Sequence, residues 1–118
     1  MSFAYIVIAL ILVFIVYKYF QGRNLPSISV KEAKEILKAK SALFLDVRTP
    51  GEWNEGHVSG ALHIPLQELS GRISELEKHK NRDIIVYCRS GNRSSSASQI
   101  LLKKGFKVKN MTGGFMSW

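Results

Sequence analysis

The stretch that most constrains the fold is Asp83-Ile84-Ile85-Val86-Tyr87-Cys88-Arg89-Ser90-Gly91-Asn92-Arg93-Ser94. The unbroken apolar run Ile84 to Tyr87 suits a strand covered on both faces, as the middle of a parallel sheet requires. It leads directly into the only cysteine of the chain, then a polar loop containing Gly91. A helical pattern follows over Ser94 to Lys104, with Ala97, Ile100 and Leu101 inward and Gly105 as its stop. A strand, a tight loop and a helix in that order place Cys88 among converging backbone N–H groups. Such a site favours an anion: the thiolate itself, an anionic substrate or a charged intermediate. Arg89 and Arg93 add positive charge to the same loop.

The remaining chain supplies a sheet around that strand. Ser29-Val30-Lys31-Glu32 has the form of a capping box, and Val30, Ala33 and Leu37 carry helical spacing to about Ala39. The run Ala42-Leu43-Phe44-Leu45 leads into Asp46-Val47 and reads as a buried strand. A polar stretch from Arg48 to Gly60 follows, with Pro50 favouring a turn or a short helix start. Ala61 to Ile64 reads as a second short strand stopped by Pro65. Leu66, Leu69, Ile73 and Leu76 line one face of an amphipathic helix ending near Lys80. Phe106 to Val108 is a last short strand before the turn Thr112-Gly113-Gly114. The alternation predicts an α/β domain with a central, mostly parallel sheet flanked by helices. About 95 residues suffice for one modest core.

The N-terminus has a different composition. Phe3 to Phe20 is apolar or aromatic except for Lys18. A helix over those residues is roughly 27 Å long, close to the hydrocarbon thickness of a bilayer. Lys18 lies where it can snorkel to the interface. No basic residue precedes the run and no small-residue cleavage site follows it, which argues against a signal peptide. A buried core helix that is apolar all round would need far more protein around it. Residues 1–20 are therefore expected to be a single-pass transmembrane anchor, residues 21–27 a linker and residues 28–118 the folded domain. Lys18, Arg23, Lys31 and Lys34 all lie at or after the end of the span, so the positive-inside rule predicts a cytoplasmic domain. A lone cysteine, unable to form an internal disulfide, is consistent with a reducing compartment.

The net charge is +8, and outside Lys18 and Arg23 fifteen basic against nine acidic residues leave +6. No basic-aromatic stripe accompanies that charge, so nucleic-acid binding is not expected; attraction to an anionic membrane surface or simple solvation accounts for it.

Three motifs then become recognisable. Leu45-Asp46-Val47-Arg48-Thr49-Pro50-Gly51-Glu52-Trp53-Asn54-Glu55-Gly56-His57-Val58-Ser59-Gly60-Ala61-Leu62-His63-Ile64-Pro65-Leu66 resembles the first signature of rhodanese-like domains. Cys88 to Ser94 resembles their active-site loop, and Gly113-Gly114 with Trp118 is similar to their closing pattern. The resemblance covers residues 28–118. It implies a catalytic loop at the carboxyl end of a middle strand, where open α/β sheets bind ligands. It also implies sulfur transfer: Cys88 attacks a small anionic donor such as thiosulfate, holds the sulfur as a persulfide and passes it to cyanide or a thiol, including a protein thiol. No cofactor or metal is implied. The family usually runs several residues past its closing tryptophan, so the last turn here is expected to be less firmly anchored.

The residue types suit this chemistry. The thiolate is the nucleophile, and helix N-termini with nearby arginines lower cysteine pKa values to about 3.5–7.5. The loop N–H groups of Arg89, Ser90, Gly91, Asn92, Arg93 and Ser94 are positioned to cradle a persulfide as an oxyanion hole holds developing charge. Gly91 permits the tight curl. Arg93 is expected to partner the anion, with Arg89 less certainly directed toward it. The resemblance puts Asp46 beside the loop, bracing it through hydrogen bonds or an arginine; the plainer reading is a strand-end carboxylate capping the next turn. Arg48 either shapes the mouth of the site or is a paired structural arginine. His57 and His63 have no further ligands at metal spacing, and His57 reads as a hydrogen-bonded packing residue. Trp53, Phe115 and Trp118 read as core or rim aromatics. Related phosphatases use C-x5-R rings wide enough for a tetrahedral oxyanion. The spacing here is C-x4-R, better suited to a single sulfur or selenium atom. The remaining alternative is a membrane-tethered sulfur-delivery or docking module with little free turnover.

Overall fold

The computed structural model describes residues 2–23 and 25–118, the side chains of residues 20–23 excepted. Its elements are α1 (Phe3–Arg23), β1 (Ser27–Ile28), α2 (Val30–Ala39), β2 (Ala42–Asp46), α3 (Pro50–Asn54), β3 (Leu62–His63) and α4 (Leu66–Arg72). A 3-10 segment (Ile73–His79), β4 (Asp83–Tyr87), α5 (Asn92–Lys103), β5 (Lys107–Met111) and a second 3-10 turn (Phe115–Ser117) follow. The five strands form one sheet in the order β1-β5-β4-β2-β3, and every pairing is parallel. The expected α/β architecture is therefore present, with β4 in the middle.

Side-chain alternation along the strands splits the core into two layers. Ile84 and Val86 of β4 join Leu43, Leu45, Leu69, Leu76, Ala97 and Leu101 on the side covered by α4, the first 3-10 segment and α5. Ile85 and Tyr87 face the other way, with Phe44, Ala33, Val58 and Met111, under α2 and the C-terminal turn. Both layers are built of buried apolar side chains, as an all-parallel sheet covered on both faces requires.

Local chemistry explains the helix starts. Ser29 and Glu32 form the expected capping box, and Thr49 and Glu52 form a second one with Pro50 in the first turn of α3. Each box satisfies two N–H groups that a helix start leaves open.

Several boundaries differ from the sequence reading. The linker is shorter than residues 21–27: α1 runs to Arg23, and Ser27–Ile28 pairs with the end of β5. The helix expected from Leu66 to Lys80 is α-helical only to Arg72 and then tightens to 3-10. Its apolar spacing is met by both windings; Gly71, a poor helix former, stands just before the change. The strand expected over Ala61–Ile64 shrinks to Leu62–His63 at the sheet edge. The last strand is longer than expected, taking in Lys109, Asn110 and Met111. The last turn is not loose. Trp118 meets Phe44 edge-on at 6.2 Å, Lys34 lies 5.2 Å over the indole, and the Lys34 ammonium donates to the Trp118 carbonyl at 2.7 Å.

The helix expected at the N-terminus forms, and its apolar side chains from Phe3 to Tyr19 are exposed. Among the described residues, however, no helix is long and apolar enough to cross a membrane. The expected span over residues 3–20 includes Phe20, whose side chain lies outside the described residues. What the described residues carry there is an exposed apolar helix.

Leu101 of α5 is fully buried between the helix and the sheet. Leu101→Ala is expected to lower unfolding free energy by about 2–5 kcal/mol, measured by urea denaturation followed by circular dichroism.

Candidate active site

β4 ends at Tyr87 and delivers Cys88 to the carboxyl edge of the sheet, where the chain turns through Arg89 and Ser90 into α5. Gly91 makes this turn at φ 111°, in the left-handed region that favours glycine. The curl brings the Gly91 N–H to 3.1 Å from Cys88 Sγ. Ser94, fully buried in the first turn of α5, places Oγ 3.4 Å from the same sulfur and donates to the Gly91 carbonyl at 3.1 Å. Burial pushes the Cys88 thiol up, but hydrogen bonds from the Ser94 side chain and the N–H groups of Ser94, Gly91 and Ser90 outweigh it. The net result is a thiol below its ordinary range. Of the expected loop residues, Gly91 and Ser94 meet the sulfur directly. Arg89, Ser90 and Asn92 are exposed around it.

The outer wall of the loop comes from the C-terminal turn. Phe115 N–H donates to the Cys88 carbonyl at 2.8 Å and Met116 N–H to the Arg89 carbonyl at 3.0 Å. Gly114 permits this approach: a Cβ there would collide with the Arg89 carbonyl oxygen and lie 2.7 Å from that of Cys88. Gly114 and the two residues after it thus hold the loop, while Trp118 packs on Phe44.

The structure gives Arg93 and Arg48 each a specific partner. Arg93 does not stand free for an anion; its guanidinium forks onto Glu52 of α3 at 2.6 and 2.8 Å. Glu52, also holding Thr49 through the capping box, is kept down at about 2, chiefly by Arg93. Asp46 does not reach a loop arginine. It is fully buried and pairs with Arg48, whose Nε lies 3.0 Å from each carboxylate oxygen and whose Nη2 lies 2.7 Å from Oδ2. Its Oδ1 also accepts the Arg48 N–H at 2.9 Å, the strand-end capping anticipated as the plainer reading.

Arg48 in turn donates to the Gly56 carbonyl at 2.6 Å and lies 4.4 Å over the Phe115 ring. Through Phe115 this ion pair supports the loop indirectly. Arg48 and Arg89 line an open cleft of about 290 Å³ with Glu52, Glu55, Gly56, Phe115 and Met116.

The histidines behave as packing residues. His57 Nδ1 lies 3.0 Å from the Trp53 carbonyl, and both His57 and His63 stack on the Trp53 ring, with centroids 3.4 and 4.7 Å away. No cluster of metal-ligating side chains occurs among the described residues. Glu52 and Asn110 were not singled out from the sequence. Glu52 was discoverable as the end of a Thr-x-x-Glu capping box, but its bond to Arg93 joins residues 41 apart.

The model of the rhodanese-like domain matches residues 29–118. The chain belongs to the rhodanese-like family. It is 36% identical over 87 residues to a sulfurtransferase of Allochromatium vinosum, covering 73% of this chain and 79% of that one. It is also 36% identical over 92 residues to the thiosulfate sulfurtransferase GlpE of Coxiella burnetii, covering 77% and 84%. A rhodanese-related protein of Thermoplasma volcanium superposes with a TM-score of 0.73 at 32% identity, over 79% of this chain and 89% of that one. Relatives of this kind support sulfur transfer as the general activity of the rhodanese-like fold described here.

Two outcomes test this geometry. Glu52 has a depressed folded pKa, so its stabilising contribution is complete above its ordinary value of 4.5 and is lost as pH falls toward about 2. Glu52→Gln is expected to lack that part of the acid destabilisation, read from thermal melts between those pH values. Gly114→Ala, at φ 63° and against the loop backbone, is expected to cost about 1–3 kcal/mol or more. It should also change the rate at which iodoacetamide alkylates Cys88, because the added methyl displaces the cysteine's own carbonyl.

Proposed function

We propose that this rhodanese-like domain is a sulfurtransferase that carries sulfane sulfur on Cys88, from thiosulfate or a related anionic donor to cyanide or a thiol. The observation that carries the reading is the ring of donors on Cys88 Sγ, supplied by Gly91 and Ser94 and favouring the thiolate. The thiolate attacks the outer sulfur of thiosulfate; the new Cys88 S–S bond forms while the donor S–S bond breaks. Sulfite leaves with that bond's electron pair. The terminal sulfur of the persulfide is then attacked by cyanide or a thiolate, giving thiocyanate or a new persulfide and returning the Cys88 thiolate.

Hydrogen bonds from the loop N–H groups stabilise the negative charge on the persulfide as they do on the thiolate. The exposed residues Arg89, Ser90 and Asn92 form the approach to the buried sulfur. With Arg93 compensated by Glu52, Arg89 is the loop cation that attracts the anionic donor.

The second part of the reading concerns placement: α1 holds the domain at a lipid bilayer, with the domain on the cytoplasmic side. Its support is the exposed apolar surface of Phe3 to Tyr19, together with the excess of basic residues after it. Residues 24–26 allow about 10 Å between helix and domain, so the site would stay close to the membrane surface.

Incubating the protein with thiosulfate and recording its intact mass tests the chemistry. One added sulfur is expected on the wild type, removable by cyanide and absent from Cys88→Ser. No adduct on a reduced, accessible Cys88 would point to a different sulfur donor or to the docking module. For placement, the full chain is expected to float with phosphatidylglycerol-containing vesicles while residues 25–118 stay behind; equal behaviour of the two would remove the tether.

A further inference from the structure

Asn110 sits near the end of β5 with only 6% of its surface exposed. Its backbone is fixed on both sides, by register with Val86 of β4 and by its N–H to the Pro26 carbonyl at 2.8 Å. The side chain is half satisfied. Nδ2 donates to the Gly91 carbonyl at 3.4 Å, whereas Oδ1 is buried with no partner among the described residues. A buried orphan acceptor is costly, and an apolar side chain of the same size would fill the space without that cost. The donated bond is therefore where a reason for an amide is to be found.

The Gly91 carbonyl accepts three donors: Ser95 N–H at 3.0 Å, Ser94 Oγ at 3.1 Å and Asn110 Nδ2. Ser94 has one hydroxyl proton and two claims on it, the Gly91 carbonyl and Cys88 Sγ. While Cys88 is a thiol, its S–H can donate to Ser94 Oγ as the hydroxyl donates to Gly91. Once the sulfur has lost its proton it can only accept, so the hydroxyl must turn toward it and release the Gly91 carbonyl.

Resting on the reading of Cys88 as nucleophile, we propose that Asn110 is a positioning residue that takes over this carbonyl. Its amide keeps the Gly91 turn in place when Ser94 swings its proton to the thiolate. The Gly91 N–H consequently remains on Cys88 Sγ throughout. Asn110 touches no reacting atom; it acts through Gly91 and Ser94.

The test is the pH dependence of Cys88 alkylation by iodoacetamide in the full chain, which requires no sulfur donor. Asn110→Leu, neutral and unable to donate, is expected to raise the midpoint by about one pH unit, a tenfold lower thiolate fraction below both midpoints. In a Ser94→Ala background there is no hydroxyl to hand over, and the same substitution is expected to move the midpoint by much less. A purely packing role would change stability but leave both midpoints where they were, and that result overturns the proposal. Equal shifts in the two backgrounds overturn it as well, because Asn110 would then act without Ser94. If Asn110→Leu fails to give a native circular dichroism spectrum, Asn110→Ala, also neutral and unable to donate, takes its place with the same expectations. Loading of the wild type with thiosulfate and with a second sulfane-sulfur donor, followed by mass, is a separate readout; failure with both would remove the sulfur-transfer reading while leaving the alkylation result intact.

Discussion

The active-site loop depends on a close approach of two backbones. Gly114 lies against the carbonyls of Cys88 and Arg89, and the next two N–H groups donate to those same carbonyls. Carbonyls at the end of a central parallel strand need partners once the sheet ladder stops, and here the chain after β5 supplies them. With that side of the loop satisfied by backbone, its N–H groups are free to turn inward to the sulfur. The order of events in the sequence follows from this requirement: the cysteine comes at the end of the middle strand, and the glycines come after the neighbouring one.

Charge in the site is balanced in pairs. Asp46 and Arg48 neutralise each other in the interior, where either alone would be costly. Arg93 and Glu52 do the same at the rim, joining α3 to α5 across the loop. The groups that act on the sulfur are consequently neutral dipoles: the Gly91 N–H, held on it by the loop, and the Ser94 hydroxyl, which turns to it. A dipole already in place loses nothing to reorganisation when charge appears, which is the advantage of such donors over mobile side-chain cations.

Much of this was legible in the sequence because it is written locally. The apolar runs of β2 and β4, the two Thr/Ser-x-x-Glu starts, Gly91 and Gly105 each follow from neighbours within a few residues. The position of Cys88 between a buried strand and a glycine-containing loop belongs to the same class. What the sequence hid is written across distance. Ser27–Ile28 is a strand only because the end of β5 lies beside it, and Arg93 is occupied only because α3 brings Glu52 to it. Asn110 lies beyond the strand expected over Phe106 to Val108; its register with Val86 makes it part of the sheet. The Leu66 to Leu76 spacing failed for another reason, since apolar residues three and four apart satisfy 3-10 and α winding nearly equally.

The burial of Cys88 bears on the kind of reaction the loop can support. Only 1% of the residue is exposed, so the thiolate is reached from the loop mouth and not from an open surface. Sulfur attached to Sγ would extend toward that mouth, placing the transferable atom nearer to solvent than the sulfur that holds it. In the proposed reaction an acceptor reaches the outer sulfur past the exposed rim residues Arg89, Ser90 and Asn92. The cleft lined by Arg89, Glu55 and Met116 adjoins that rim and offers contact area beyond it. A buried sulfur beside an open cleft fits the proposed transfer either to a small anion or to a larger thiol.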